Sequence, residues 1–284
     1  MASARDSTSG APGRWKVERK LPRLALTAAL SVAAGLAGVV LASRDAAPAT
    51  GVVPRAAGPE QLAAELSAHD AALRTEIDSW RADADPPSQP PPAELTAEAG
   101  YLQATVRSLA GRPRLARSTI ELLSAPLAGE VRELTAAARD LHRLSAGWPP
   151  HHVKSGDPKA LSELEKYYAA ARHRYGVGPH YLAAIHHVES KFGRVKSNSV
   201  SGAQGPMQFL PSTWQIYGHG DIHNDHDAIL AAANLLHHAG APGNYARALL
   251  AYNPSRLYVD AVQRYARLIK RDTYALYFLY CWEP

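Results

Sequence analysis

Glu189 is the side chain in this sequence whose type and position are best suited to acid chemistry. The pattern predicts a helix that begins near Pro179 and is closed by Phe192 and Gly193, with Glu189 on its apolar side in the last turn. Desolvation and the negative end of the helix dipole both disfavour the carboxylate, so each raises the pKa. A carboxylic acid that stays protonated near neutral pH can act as a general acid. Many glutamates at helix ends have no such role, so the neighbouring motifs must decide.

Four short motifs occur in order from Glu189 towards the C-terminus. They are Glu189-Ser190, Ser199-Val200-Ser201-Gly202-Ala203, Met207-Gln208-Phe209-Leu210-Pro211 and Ala251-Tyr252-Asn253. In this order and spacing they resemble the motifs of bacterial lytic transglycosylases of the soluble, goose-lysozyme-like (SLT) type. The resemblance covers residues 158 to 270 and implies a lysozyme-like, mostly helical domain that acts on the glycan strands of peptidoglycan.

The resemblance also implies a role for each matching residue. Glu189 would be the sole catalytic acid and base, and Ser199 would lie near the N-acetyl group of the cleaved sugar. Gln208 and Leu210 would line the sugar groove. The hydroxyl of Tyr252 would lie beside the catalytic carboxyl, with Asn253 bracing the turn that follows it.

Three departures from the family pattern affect the loops around these residues. The loop between Glu189 and Ser199 is one residue longer than is common, Pro206 replaces a leucine, and Pro254 follows the Tyr-Asn pair. These differences bear on the contact made by Ser199 and leave Glu189 unaffected.

Most glycosidases need two carboxylates, but the residues near these motifs supply no obvious second one. Asp221, Asp225 and Asp227 lie beyond the next predicted helix, and Asp227 is predicted to be an N-cap. A muramic acid substrate can replace the missing group with its own N-acetyl oxygen. Cleavage of the β-1,4 bond between N-acetylmuramic acid and N-acetylglucosamine would then leave a 1,6-anhydromuramyl end, since an intramolecular hydroxyl competes well with water.

Three alternatives remain open from the sequence. The same glutamate could deliver water, as in a goose-type muramidase, or the groove could bind glycan in a cell-wall scaffold protein without turnover. A metal site would draw on His186, Glu189, His219, His223 and His226, but no recognised ligand spacing joins them, so no cofactor is expected.

Composition excludes other classes of protein. The chain has 284 residues, a formal net charge of +5 and one cysteine, so it cannot be a disulfide-stapled scaffold or a cysteine-rich zinc module. The basic residues are scattered and form no stripe with interleaved aromatics, which disfavours nucleic acid as a partner.

The N-terminal residues suggest a membrane anchor. Residues 24–43 are twenty uncharged positions, about the length that crosses a bilayer. The basic tail over residues 1–23 predicts a cytoplasmic N-terminus. We therefore expect a single-pass protein of the cell membrane with an extracytoplasmic catalytic domain, or a secreted protein if the segment is cleaved.

Residues 59–146 follow a linker over residues 44–58 and show apolar residues at alternating steps of three and four. This pattern predicts a stalk, either a helical hairpin or a small bundle, which could also mediate self-association or bind a divisome or elongation partner. The expected fold is thus mostly α, with a transmembrane helix, this stalk and a lysozyme-like catalytic domain over residues 150–284.

Overall fold

The computed structural model describes residues 57–82, 84–146 and 153–284, and these fold into eleven α-helices. The four N-terminal helices are α1 (Pro59–Arg81), α2 (Ala93–Ala110), α3 (Pro113–Glu121) and α4 (Ala125–Ser145). The C-terminal helices are α5 (Leu161–Tyr175), α6 (Pro179–Ser190), α7 (Pro211–Tyr217), α8 (Asp225–His238), α9 (Tyr245–Tyr252), α10 (Arg256–Arg271) and α11 (Ala275–Tyr280). The mostly helical prediction is confirmed, and it is consistent with a lysozyme-like domain.

Local signals explain where the helices near Glu189 begin and end. Helix α5 stops at Gly176, which adopts the left-handed conformation (φ 72°) that favours glycine. Helix α6 starts with Pro179, whose fixed φ and missing N–H suit a first helical turn. The N-cap of α8 is Asn224, whose side chain accepts a hydrogen bond from the backbone N–H of Asp227. The prediction that Asp227 caps this helix was wrong, because it lies inside the first turn.

Helix α10 lies at the centre of the packing. It packs against α4 on one side and against α6, the helix that carries Glu189, on the other. Helix α11 contacts α2 and α6, so buried apolar residues from α1 to α11 form one continuous core. The segment predicted to be a stalk therefore packs directly on the C-terminal helices.

Ion pairs join the same two parts of the chain. Arg74 of α1 contacts Asp272, at the end of α10, at 3.1 Å, and within the N-terminal part it donates a 2.8 Å hydrogen bond to buried Glu130 of α4. Glu133 of α4 contacts Arg264 of α10 at 3.1 Å. The N-terminal helices are thus attached to α10 by charged contacts as well as by apolar packing.

The expected membrane-spanning fold and single-pass localisation must be corrected. Across residues 57–82, 84–146 and 153–284, no helix has the length and apolar character needed to cross a bilayer. The segment on which that expectation rested, residues 24–43, lies outside the described residues, as do residues 1–23 and most of the predicted linker.

Candidate active site

The last turn of α6 places the Glu189 side chain in the protein interior, with no exposed surface. Its Oε1 atom accepts a 2.7 Å hydrogen bond from the hydroxyl of Tyr258, in the first turn of α10. Its Oε2 atom is buried and has no hydrogen-bond partner in the described part of the chain. One carboxyl oxygen is therefore held in place while the other is available to a substrate.

The electrostatic surroundings favour the neutral form of Glu189. Burial raises the pKa of Glu189 well above its usual range, while the hydrogen bond from Tyr258 and the charge of Lys191 oppose this shift. Lys191 is also buried, and desolvation lowers its pKa to about 7, with a further lowering by Arg107. Because Lys191 carries only part of its charge near neutral pH, it offsets little of the burial effect on Glu189.

The chain leaves α6 through a tight turn that fixes the end of the helix. Lys191, Phe192 and Gly193 all have positive φ angles, of 52°, 58° and 81°. Two of these are not glycine, so the turn carries backbone strain that surrounding contacts must hold. The Ser190 hydroxyl supplies such contacts, donating to the carbonyl of Pro206 at 2.5 Å and accepting from the N–H of Gly193 at 2.8 Å.

Tyr252 and Asn253 lie at the junction of α9 and α10. Tyr252 is buried and its ring lies parallel to that of Tyr258, with centroids 6.3 Å apart. Its hydroxyl donates to the carbonyl of Met207 at 2.6 Å. The Asn253 side chain accepts from the N–H of Ser255 at 3.1 Å, which braces the turn leading into α10. The hydroxyl bonded to the Glu189 carboxyl thus belongs to Tyr258, and that of Tyr252 is engaged elsewhere.

Two predicted sugar-binding residues are mostly buried. The Ser199 hydroxyl accepts from the N–H of Ala203 at 3.0 Å and shapes its loop. Gln208 has a positive φ of 48°, and its side chain donates to the carbonyl of Gly205 at 2.8 Å. Its Oε1 atom is buried without a partner in the described part of the chain, so it can accept a hydrogen bond. Leu210, half-buried, is the N-cap residue of α7.

A family model described as the transglycosylase SLT domain matches residues 166–274, the region that contains this site. This part of the chain belongs to the SLT transglycosylase family. The protein is thus a peptidoglycan lytic transglycosylase, a lyase that acts on polysaccharide, and glycan strands of peptidoglycan are its substrate. The resemblance of the four motifs is confirmed. No curated protein and no solved structure matches the chain.

Behind Glu189, a buried histidine links three helices of the SLT domain. His186, one turn earlier on α6, has its Nδ1 atom 2.8 Å from the hydroxyl of Tyr168 on α5. Its Nε2 atom is 3.5 Å from Oδ1 of Asp225 on α8. His186 therefore joins α6 to α5 through Tyr168, and Asp225 faces this histidine from α8.

No group of three or more histidine, cysteine, aspartate or glutamate side chains is placed to hold a metal ion within the described residues. The histidines considered as ligands in the sequence, including His219, His223 and His226, belong to no such group.

Tyr258 is the site residue that sequence reasoning missed. The sequence does carry a signal, because Tyr258, Val262 and Tyr265 recur at helical spacing on one apolar face of α10. That pattern is typical of a buried tyrosine. It does not show which polar group the hydroxyl will meet, since Glu189 lies 69 residues away in the sequence.

Proposed function

We propose that this transglycosylase cleaves the bond between N-acetylmuramic acid and N-acetylglucosamine with Glu189 as its only catalytic carboxyl group. The observation that carries the proposal is the state of that carboxyl group: it is fully buried, it is bonded to Tyr258 through Oε1, and its Oε2 atom has no hydrogen-bond partner among the residues that the structure describes. Asp225 on α8 faces His186, with its Oδ1 atom 3.5 Å from Nε2 of that histidine. A mechanism with one acid fits this arrangement.

In the first step, the neutral Glu189 carboxyl gives its Oε2 proton to the glycosidic oxygen. The N-acetyl oxygen of the muramyl residue bonds to C1 as the C1–O bond breaks, so the positive charge is held in an oxazolinium ring. The N-acetylglucosamine end leaves with a hydroxyl. Burial favours the protonated acid before this step, and the Tyr258 hydroxyl stabilises the carboxylate that the step creates.

In the second step, the Glu189 carboxylate takes the proton of the muramyl C6 hydroxyl. The C6 oxygen bonds to C1, the N-acetyl oxygen leaves C1, and a 1,6-anhydro ring results. No water is consumed, and the acid is restored to its protonated form. Attack by a group within the same sugar has a large effective molarity relative to water.

Substrate access requires a local rearrangement. The Glu189 side chain has no exposed surface, so a glycan strand must move covering side chains before its bridging oxygen reaches Oε2. The Met207–Gln208 segment lies next to Tyr252, whose hydroxyl donates to the carbonyl of Met207. The ring of Tyr252 in turn lies parallel to that of Tyr258, the residue bonded to Glu189. This segment, which carries the unpartnered Gln208 oxygen, is suited to contact the incoming sugar.

Mass spectrometry of products from purified peptidoglycan tests this mechanism. Anhydromuramyl ends are expected, and reducing muramyl ends, heavier by one water, would instead indicate a muramidase. A Glu189→Gln variant keeps the side-chain shape and its acceptor for Tyr258 but has no acid proton, so activity should fall by at least about 100-fold. Full activity in this variant would overturn the single-acid mechanism.

A further inference from the structure

A cavity of about 570 Å³ lies where the N-terminal helices meet the SLT domain. One side is lined by Pro90 and Pro91, from the loop between α1 and α2, and another by residues 155–158, which precede α5. Arg194, Tyr280 and Glu283 are among the other residues that line it. Neither Glu189 nor any of its hydrogen-bond partners lines this cavity.

Arg194 is the notable group in this cavity. The residue is only 6% exposed, and its guanidinium lies over the Tyr280 ring at 4.9 Å. Its carboxylate contact is with Glu283, a single approach of 3.4 Å from Nε to Oε1, and the Glu283 side chain is 57% exposed. A guanidinium binds a carboxylate best through two parallel N–H bonds. The Nη1 atom of Arg194 also donates to the backbone carbonyl of Lys191 at 3.4 Å, so the contact with the exposed Glu283 side chain is the one that a ligand carboxylate can replace.

The cavity also contains charge of the opposite sign. Asp157 lines it from the segment before α5 and is exposed. A ligand that carries both a carboxylate and an ammonium group can therefore pair with Arg194 through one and with Asp157 through the other. Peptide stems of peptidoglycan carry such groups on their diamino acid residue.

The position of the cavity along the chain fits a stem attached to a sugar at Glu189. Arg194 lies five residues after Glu189 and five residues before Ser199, in the loop that joins them. Five residues span at most about 18 Å, so the Cα atoms of Arg194 and Glu189 are no further apart than that. A stem of three extended residues covers about 10 Å, and its sugar linkage and side chains extend the reach.

We propose that this cavity binds the peptide stem of the muramyl residue that is cleaved at Glu189. The Arg194 guanidinium takes a stem carboxylate in place of Glu283, and Asp157 faces the ammonium group. This inference rests on the proposed function for its connection to the glycan. A failure of stem binding can be distinguished from a failure of the cleavage mechanism, because stem binding is measurable without cleavage.

The experiment is a calorimetric titration of the full chain with the free tripeptide alanyl-glutamyl-diaminopimelate. The matched ligand is the same tripeptide with its carboxylates converted to amides. The wild type should bind the tripeptide at least about tenfold more tightly than the amidated form, because only the former can satisfy the Arg194 fork. Equal binding of the two peptides, or no binding at millimolar concentration, would overturn the proposal.

Two variants separate a specific role of Arg194 from damage to the fold. Arg194→Gln should weaken tripeptide binding about tenfold or more, while Arg114→Gln, at an exposed position on α3, should leave it unchanged. Glu283→Gln should tighten binding, because the competing carboxylate is gone. A variant that merely unfolds cannot tighten binding, so the absence of tightening in Glu283→Gln contradicts the proposal even if Arg194→Gln is unstable.

A parallel assay on glycan strands stripped of their peptides reports the proposed function. Cleavage of these strands to anhydromuramyl ends is expected, with wild-type rates in the surface control Arg114→Gln. If intact peptidoglycan yields no anhydromuramyl ends while the tripeptide binds, the glycan mechanism fails and the stem site stands.

Discussion

The hydroxyl of Tyr258 donates to Oε1 of Glu189 across 2.7 Å, and this bond joins the first turn of α10 to the last turn of α6. Both residues are completely buried, so the bond operates in a medium of low polarity. It orients the carboxyl so that Oε2 is the oxygen left for a substrate. It also favours the ionised form of Glu189 and opposes the effect of burial on its pKa.

Replacing Tyr258 with Phe should therefore slow cleavage and shift its pH dependence. Loss of a hydrogen bond to a charged group corresponds to a rate loss of about 10- to 100-fold. The pKa of Glu189 should rise further, so the fall in kcat/KM at high pH, which reports loss of the acid proton, should move to higher pH. Tyr252→Phe is the control, because that hydroxyl bonds to Met207. An unshifted high-pH limb in Tyr258→Phe would contradict the assigned role.

Replacing Lys191 with Met should stabilise the protein most at neutral and acidic pH. Burial lowers the folded-state pKa of Lys191 from 10.5 to about 7, so between these values the unfolded chain binds more protons than the folded one. Wild-type stability should therefore rise with pH across that window. The variant lacks this rise, and its advantage should shrink as the pH approaches 10.5. Thermal melting across this range measures the effect.

Lys196→Met is the matched control for that substitution. Lys196 is exposed, and it donates to the backbone carbonyl of Asp157 at 3.0 Å. An exposed lysine has little desolvation cost, so its replacement should leave the pH dependence of melting as in the wild type. If both variants lost the rise of stability with pH to the same extent, buried Lys191 would not be the source of that rise.

Glu130→Gln should remove a fall of stability with rising pH, whereas Lys191→Met should remove a rise. Burial raises the pKa of Glu130 from 4.5 to about 8, and nearby Asp70 raises it as well, while Arg74 opposes the shift. The folded chain thus holds a proton that the unfolded chain has lost, and this contribution to stability disappears as the pH rises to about 8. The melting temperature of the variant should fall less than that of the wild type between pH 4.5 and pH 8. Glu133→Gln, a partly exposed site on the same helix, should retain the wild-type decline.

Gly205→Ala and Gly202→Ala form a matched pair in the loop before α7. Both glycines have positive φ, 73° and 81°, so both alanines carry a similar backbone cost of about 1–2 kcal/mol. A Cβ at Gly205 would lie 1.9 Å from the carbonyl oxygen of Ile222, whereas one at Gly202 meets nothing within 4 Å. Gly205→Ala should therefore lower the melting temperature much more and displace Gln208, with loss of activity. Equal effects in the two variants would contradict this account.

The sequence alone was sufficient for conclusions that depend on local pattern. The spacing around Glu189 predicted its place in the last turn of a helix and its burial, because apolar periodicity determines which face of a helix is covered. The order of the four motifs identified the SLT family over a region that the family model also matches. The family resemblance implied that Asn253 braces its turn, and its side chain accepts a hydrogen bond from the N–H of Ser255 there.

The tertiary structure decided which distant residues meet. Tyr258, and not Tyr252, donates to Glu189, because the packing of α10 on α6 determines which hydroxyl faces the carboxyl. The N-terminal helices pack on α10, although their periodicity alone also allowed a separate stalk. The cavity around Arg194 exists only where these two parts of the chain adjoin. Periodicity along a chain specifies which side of each helix is apolar, but several partners can cover that side, and only the complete packing selects one of them.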